Sequence, residues 1–289
     1  MPSTYNDLYL DTRRALKRIG VESAALEARE IVCCAANKSK EEFLRDCRLY
    51  ASPEIEERAA ALLERRLQGE PVAYLVGEWE FYGLPLTITR DVLIPRDDTC
   101  VLADQAIAYL KGLERPARVL DLCTGSGCVG LAIASQVPDC RVVLADVSEA
   151  ALRVARTNAR LNHLQSRVAI LSADARETPP ANFDNFHCIV SNPPYIPRGD
   201  IPGLDGSVRD YEPLLALDGG EDGLDFYCSI TRKWKQTLLD GGRLRFELGI
   251  GQADAVLRLM RSEGFGDLEL YEDTQGIPRV IGGTLYTEI

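Results

Sequence analysis

The stretch RVLDLCTGSGCVGLAIASQ, residues 118–136, decides the fold. Its first five residues predict a buried strand, and the spacing of the later apolar residues predicts a helix over 127–136. The glycines between them permit positive φ and let a ligand approach the backbone, while the start of the helix presents free N–H groups. A strand, a glycine-rich turn and a helix in this order indicate a nucleotide-binding α/β domain.

The same alternation of strand and helix continues along the chain. A helix is predicted over 99–113, and the later segments follow as strands at 142–145, 168–171, 188–191 and 243–248, with helices at 149–162, 224–239 and 253–263. This order predicts a mostly parallel sheet wrapped by helices, with the ligand site at the carboxyl ends of the strands. A long loop at 197–222 is of the length that is usually functional.

The N-terminal part has a different pattern. Residues 5–68 show helical spacing with segments at 24–36 and 53–67, where Ser52 is the expected N-cap and Pro53 the first helical residue. The aromatic and β-branched stretch 72–94, with a turn at 83–85, predicts a connecting β-hairpin. We therefore expect a helical bundle at 1–69 that docks a partner or covers a site, a hairpin at 70–98, and the α/β domain at 99–289.

Composition narrows the class of protein. The chain has 289 residues, of which 46% are hydrophobic and 27% charged, and its formal net charge of −11 disfavours stable nucleic-acid binding through phosphate contacts. The first residues lack the basic and apolar regions of a signal peptide, and no apolar run approaches the length of a membrane span. We expect a cytoplasmic protein without membrane contact.

The cysteine and histidine spacing predicts no metal site. The nine cysteines are scattered without a Cys-x-x-Cys pair, and the two histidines stand singly. Free thiols buried in a reducing compartment are the expected state of the cysteines.

Two acids follow the next two predicted strands. Asp146 is placed to accept hydrogen bonds from the ribose hydroxyls of a nucleotide cofactor, although it could instead cap the following helix, a role that Ser148 can fill. Asp174 could reach an adenine amino group. The three-glycine dinucleotide fingerprint is missing, because position 123 is Cys. The lysine of the Walker motif is missing as well.

Asn192-Pro193-Pro194-Tyr195 follows the fourth predicted strand and is therefore expected at the carboxyl edge of the sheet, beside the glycine-rich turn. Methylation of a planar amide or amino nitrogen requires the NH₂ group to be held toward the methyl donor while its hydrogens are accepted. The Asn192 side-chain oxygen and the Pro193 carbonyl can accept one each, two prolines stiffen the loop, and Tyr195 can stack on the substrate. This scheme needs no general base.

Several further blocks resemble the HemK/PrmC family of protein-(glutamine N5) methyltransferases, which modify the glutamine of the Gly-Gly-Gln motif in peptide chain release factors. The blocks are 70–74 with Gly77, 80–84, 92–96, Tyr211-Glu212-Pro213, 216–224 and 246–249. The resemblance implies a Rossmann-like class I S-adenosylmethionine methyltransferase domain with a seven-stranded, mostly parallel sheet. It also implies release factors as protein substrates.

Carried over by position, the resemblance implies that Asn192, Pro193, Pro194 and Tyr195 hold the substrate glutamine, and that Asn192 also faces the methyl donor. The residues expected to bind S-adenosylmethionine are Asp121, Cys123, Thr124, Gly125, Ser126, Gly127, Asp146, Asp174, Ala175 and Asn192.

This chain departs from the family pattern at three places. Cys123 replaces a usual glycine, so we expect it to adopt a φ that a side chain allows. Asp97-Asp98-Thr99-Cys100 replaces Pro-Glu-Thr-Glu, with Asp98 keeping a carboxylate. Ala175 stands where some members have an aromatic residue, so the adenine must pack elsewhere.

Three other functions fit parts of this pattern. A ribosomal-protein glutamine is the same chemical target, and a DNA adenine N6 amino group poses the same problem to the Asn192–Tyr195 loop. The acidic balance and the lack of a basic recognition segment disfavour DNA. A binding module without activity would require Cys123 to disable the loop, although the acceptor loop and Asp146 are intact.

Overall fold

The computed structural model describes residues 2–114, 116–181 and 183–286. They form two compact units. The first runs to Glu78 and includes Gly206–Tyr211, and the second comprises Trp79–Asp205 and the described residues from Glu212 onward. Met1, Arg115, Asn182 and 287–289, which include both ends of the predicted three-part division, lie outside the described residues.

The first unit is helical. Two of its helices begin with a capping box, in which Thr4 pairs with Asp7 and Ser39 with Glu42. Ser52 is at the N-cap position with Pro53 after it, as predicted, but its side chain makes no capping hydrogen bond. The helices are α1 Tyr5–Arg18, α2 Ala24–Ala36, α3 Lys40–Asp46, α4 Pro53–Leu67 and α5 Val72–Val76.

Helix α5 corrects a prediction, because its residues were expected to belong to the hairpin. Pro71 precedes the helix with φ −60°, and Gly77 ends it in the left-handed conformation. Since these caps fit a single helical turn, they outweigh the strand preference of two valines. The hairpin itself is shorter than predicted, with β1 at Glu78–Phe81 and β2 at Leu84–Thr87.

The second unit is built on a seven-stranded sheet, as the fold class predicts. Its strands are β3 Arg118–Leu122, β4 Arg141–Asp146, β5 Val168–Ser172, β6 Phe186–Ser191, β7 Leu238–Glu247, β8 Phe265–Glu272 and β9 Pro278–Leu285. The order across the sheet is β5-β4-β3-β6-β7-β9-β8, and β9 is antiparallel to both of its neighbours. From β3 the chain proceeds outward through β4 to β5 and then returns to β6, on the other side of β3. The strand order therefore reverses between the neighbours β3 and β6, and ligands bind at such a point in open α/β sheets.

Helices α6 Cys100–Lys111, α7 Cys128–Gln136, α8 Glu149–Leu161, α10 Asp225–Ser229 and α11 Ala253–Ser262 cover this sheet, while α9 Gly206–Arg209 belongs to the first unit. Within the first unit, Tyr211 donates a hydrogen bond of 3.2 Å to the carbonyl of Gln68. The compact units therefore do not coincide with the predicted division at 1–69, 70–98 and 99–289, which stays a prediction.

One local prediction in this unit was wrong, and two strands of the sheet had not been located in the sequence. The helix expected over 224–239 is broken after α10 by a π-helical segment, Ile230–Trp234, and a 3₁₀ turn, Lys235–Thr237. The irregularity accompanies complete burial of Trp234. Strands β8 and β9 were not among the five strands predicted individually. Most residues of β8 are partly or fully exposed, so this strand carries little hydrophobic pattern.

Within the described ranges, no helix is both long and apolar enough to cross a bilayer.

Candidate active site

The glycine-rich loop leaves β3 at Leu122 and enters α7. Cys123, Gly125 and Gly127 have φ of 63°, 55° and 84°. Cys123 therefore occupies the small left-handed region that a side chain allows, at a cost of roughly 1–2 kcal/mol.

Asp121 holds this loop in place through hydrogen bonds. Its carboxylate is 2% exposed and accepts hydrogen bonds from Thr124 Oγ1 at 2.6 Å and from the Gly130 amide at 2.9 Å. Burial raises the pKa of Asp121 to about 7, although both hydrogen bonds act against this rise. A Cβ on Gly130 would lie 2.2 Å from Leu144 Cδ2 and 3.0 Å from Asp121 Oδ2, so a larger residue would require the buried Leu144 side chain to move.

Asp146 ends β4 opposite the loop. Its carboxylate oxygens accept hydrogen bonds of 2.9 Å from the amides of Gly125 and Ser148. Burial raises its pKa, and these backbone hydrogen bonds oppose the shift. Ser148 Oγ accepts from Ala151 and so supplies the side-chain cap of α8. Asp146 is therefore not needed as the helix cap, and each of its oxygens keeps a lone pair for a ligand.

The segment after β5 forms one wall of the site. Asp174 makes a two-point contact with Arg176, with Nε–Oδ1 and Nη2–Oδ2 distances of 3.1 and 2.9 Å, and this pairing lowers the pKa of Asp174. The buried Trp234 donates from Nε1 to the Ala175 carbonyl at 3.0 Å. Phe226 lines the same wall, with the Arg176 guanidinium 5.6 Å from its ring centre. An aromatic ring thus lies beside Ala175, although it comes from α10.

The Asn192–Tyr195 loop follows the fully buried strand β6. Ser191 Oγ donates to the Leu122 carbonyl at 2.6 Å and so ties the end of β6 to the start of the glycine-rich loop. Asn192 Nδ2 donates to Thr99 Oγ1 at 3.4 Å. The two prolines are buried, and the Tyr195 ring packs against the main core cluster, where burial raises its pKa to about 12.

The block at 216–224 lies directly against this loop. The Ile196 amide donates to the Leu217 carbonyl at 3.0 Å, and the Gly219 amide donates to the Ile196 carbonyl at 2.9 Å. A Cβ on Gly219 would lie 2.8 Å from Tyr195 Cα, and one on Gly223 would lie 2.3 Å from the Tyr195 oxygen. Only glycine permits this approach, which explains two glycines of the block.

A cavity at the carboxyl ends of β3, β4, β5 and β6 brings most of the predicted residues together. It encloses about 1000 Å³, its open mouth included. The predicted residues that line it are Asp121, Cys123, Thr124, Gly125, Ser126, Asp146, Asp174, Ala175, Asn192 and Pro194. Gly127, Pro193 and Tyr195 are not among its lining residues, so the predicted stacking of Tyr195 on the substrate stays a prediction.

Sequence reasoning missed a second wall of this cavity. It consists of a segment before α6 (Asp91, Val92, Leu93, Pro95, Arg96 and Thr99) and part of the long loop (Pro213, Leu215 and Ala216). An ion pair between Arg96 and the buried Glu212 joins the two parts, and Glu212 also accepts from the Ile94 amide at 3.2 Å. The 92–96 and 211–213 blocks were visible in the sequence, but no pattern indicated that they meet.

The cysteines form no disulfides, and their burial varies. All nine cysteines are free, with Cys34 exposed and Cys33, Cys140 and Cys188 buried, so burial is less general than expected. No group of three His, Cys, Asp or Glu side chains that could hold a metal ion occurs in the part of the chain that the structure describes.

Two family models match the chain. The model of the PrmC N-terminal domain matches residues 7–77, and the model of the methyltransferase small domain matches residues 105–201. The second match contains the glycine-rich loop, Asp146, Asp174 and the Asn192–Tyr195 loop.

Curated proteins match nearly the whole chain. A release factor glutamine methyltransferase of Geobacter sulfurreducens is 40% identical over 274 residues, which cover 95% of this chain and 94% of that protein. A release factor glutamine methyltransferase of Bordetella pertussis is 40% identical over 260 residues, covering 90% and 94%.

A solved methyltransferase of Pyrococcus furiosus has a similar fold. Its TM-score is 0.53 at 17% identity, over 79% of this chain and 100% of that one. At this identity the likeness concerns the fold alone.

Proposed function

The chain belongs to the release factor glutamine methyltransferase family, and on that premise we propose its substrate and the roles of its residues. It is an S-adenosylmethionine-dependent methyltransferase. We propose that it methylates the side-chain amide nitrogen, N5, of the glutamine in the Gly-Gly-Gln motif of peptide chain release factors. The observation that carries this proposal is that Asn192, after β6, lines the same cavity as Asp146, at the end of β4.

The cavity fits S-adenosylmethionine, which supplies the methyl group when bound. Asp146 has lone pairs for the ribose hydroxyls, and Phe226 and Ala175 offer an apolar wall for the adenine. A Cβ built on Gly125 meets nothing within 4 Å, so the loop leaves open space on this side. Asp174 is the proposed neighbour of the adenine amino group, with Arg176 holding its carboxylate.

Asn192 and Pro193 position the amide. Asn192 Oδ1 accepts one hydrogen of the glutamine NH₂ group and the Pro193 carbonyl accepts the other, which directs the nitrogen toward the methyl donor. Buried prolines and the glycine block behind Tyr195 keep these acceptors rigid. After transfer the nitrogen carries an extra proton, which it loses to water without a dedicated base.

We further propose that the three-part division of the chain is functional. Residues 1–69 dock the release factor, 70–98 connect, and 99–289 carry the transfer. Separate family models for 7–77 and 105–201 support distinct N-terminal and catalytic parts, although the first model extends beyond residue 69. We also propose that the protein acts in the cytoplasm and binds neither nucleic acid stably nor membranes. The net charge of −11 supports the part of this proposal that concerns nucleic acid.

A transfer assay with radiolabelled S-adenosylmethionine tests the substrate. The purified chain should label a purified release factor, and substitution of the Gly-Gly-Gln glutamine should abolish the label. Label that persists in the substituted release factor, or that enters only ribosomal protein or DNA, would contradict the proposal.

A further inference from the structure

Glu247 is a buried acid next to the substrate loop. It is the last residue of β7, which runs parallel to β6 with Ser191 opposite Phe246. Asn192 and Glu247 are therefore the next residues along two hydrogen-bonded strands. Glu247 is 3% exposed, and its Oε2 has no hydrogen-bond partner among the described residues. A carboxylate this deeply buried destabilises the fold unless hydrogen bonds or an opposite charge compensate it.

Thr99 lies with Asn192 and Glu247. Asn192 Nδ2 donates to Thr99 Oγ1, and Thr99 is itself 2% exposed. Thr99 and Asn192 are the side-chain donors beside the Glu247 carboxylate. Burial raises the pKa of Glu247 to about 7, and these two donors counteract the rise. Both neighbours thus favour the ionised form of the acid.

The direction of these hydrogen bonds follows from the groups involved. An ionised carboxylate only accepts, so the Thr99 hydroxyl must donate its one hydrogen to Glu247. The Thr99 oxygen can then only accept from Asn192, which turns Nδ2 toward Thr99. The carboxamide oxygen consequently points away from Thr99, and Asn192 is a lining residue of the cavity.

We propose that Glu247 is a positioning residue, which acts on Asn192 directly and through Thr99 to hold the Asn192 carboxamide with Oδ1 toward the reacting nitrogen. The inference rests on the proposed function and deepens it. A reversed carboxamide would set its own NH₂ against the NH₂ of the substrate, and two donors cannot bond to each other. Without Glu247 as an acceptor, both orientations of Asn192 are open.

Several charged and titratable groups face Glu247. Arg279 favours its ionised form and Asp98 disfavours it, and these two pair with each other at 3.0 Å. Arg279 also pairs with Asp273 at 2.9 Å, so its charge is shared between other acids. The Tyr195 and Tyr227 phenols and the Cys128 thiol interact with Glu247 as well, and each has a raised pKa.

The pH dependence has a definite sign. Protonated Glu247 can donate to Thr99, and the direction of the hydrogen bonds from Asn192 through Thr99 to Glu247 is then no longer fixed. We therefore expect kcat to fall as the pH drops through about 7. Asp121 also has a pKa of about 7, so the comparison with a variant decides which acid is responsible. The acidic limb should be absent in E247Q and present in wild type.

Kinetics of four variants test the inference. E247Q should lower kcat by about 100-fold, with the Kd for S-adenosylmethionine within about twofold of wild type. T99V should lower kcat in the same way, and T99S should restore most of the loss because it returns the hydroxyl. T284V, which removes a buried hydroxyl from β9, should behave as wild type. Wild-type kcat in both E247Q and T99V would overturn the inference.

A measurement on the free protein is independent of activity. The side-chain amide ¹H and ¹⁵N resonances of Asn192 should shift in E247Q and T99V, and should titrate near pH 7 in wild type but not in E247Q. Resonances that neither variant moves would overturn the inference even if the enzyme methylates release factors. If the resonances behave as expected while wild type labels no release factor, the substrate proposal fails and the positioning role stands.

Discussion

Gln252 Nε2 donates a hydrogen bond of 2.8 Å to the carbonyl oxygen of Tyr195. The other end of the same carboxamide, Oε1, accepts from the Gly249 amide at 3.0 Å and from Tyr227 Oη at 3.1 Å. Nε2 also lies 3.3 Å from the Gly223 carbonyl. One side chain thus joins the substrate loop, the glycine block and the segment after β7.

The Q252E substitution should disrupt this junction without changing its shape. A carboxylate oxygen would face the carbonyls of Tyr195 and Gly223 in place of a donor, so we expect a loss of about 2–3 kcal/mol in the free energy of unfolding. Urea denaturation checks this value, and kcat should fall with it. The control is Q275E in an exposed turn, which should change neither. Equal stability of the two variants would rule out the junction.

Gly223→Ala should damage the substrate loop through a steric clash. The new Cβ would lie 2.3 Å from the Tyr195 oxygen, at a φ of 77°. Gly276→Ala is a matched control, because its φ is also 77° but the nearest atom to its Cβ is 3.9 Å away. Both variants should lose about 1 kcal/mol from the left-handed backbone, and only G223A should also lose kcat, by about 100-fold. Similar kcat values in the two variants would contradict the clash.

Cys123 should tolerate glycine but not valine. At a φ of 63°, glycine removes the backbone strain but also the side chain that packs against the main core, so C123G should stay within about 1 kcal/mol of wild type. A β-branched residue is strongly disfavoured there, and C123V should lose about 2 kcal/mol. Thermal unfolding measures both changes. A more stable valine variant would show that the side chain, and not the backbone, governs this position.

Asp146→Asn should weaken cofactor binding. The amide replaces one acceptor oxygen by a donor and cannot satisfy the Gly125 amide, the Ser148 amide and two ribose hydroxyls together. Calorimetry should show S-adenosylmethionine affinity reduced by about 10- to 100-fold, as expected for the loss of one or two hydrogen bonds to a charged group. Asp139→Asn, at an exposed position before β4, is the control and should bind normally. Unchanged affinity in D146N would remove Asp146 from the proposed ribose site.

Local patterns in the sequence were sufficient for the parallel part of the sheet. The predicted and observed bounds of β3 agree, those of β4 differ by one residue at each end, and those of β5 and α7 differ by one residue at one end, because their apolar spacing and glycine boundaries are strong signals. Since parallel strands share one carboxyl edge, the sequence also indicated that Asp146 and Asn192 would lie near one cavity.

Contacts between distant segments were decided by the tertiary structure alone. The pairing of Arg96 with Glu212, the link from Trp234 to Ala175 and the place of Phe226 depend on how loops and helices pack, which leaves no periodic signal in any one segment. Glu247 belonged to a visible sequence block, but only the register of β7 on β6 brings it beside Asn192. Local periodicity therefore determined the strands and the edge where the ligand site lies, whereas strand register and loop packing decided which side chains hold the Asn192–Tyr195 loop in place.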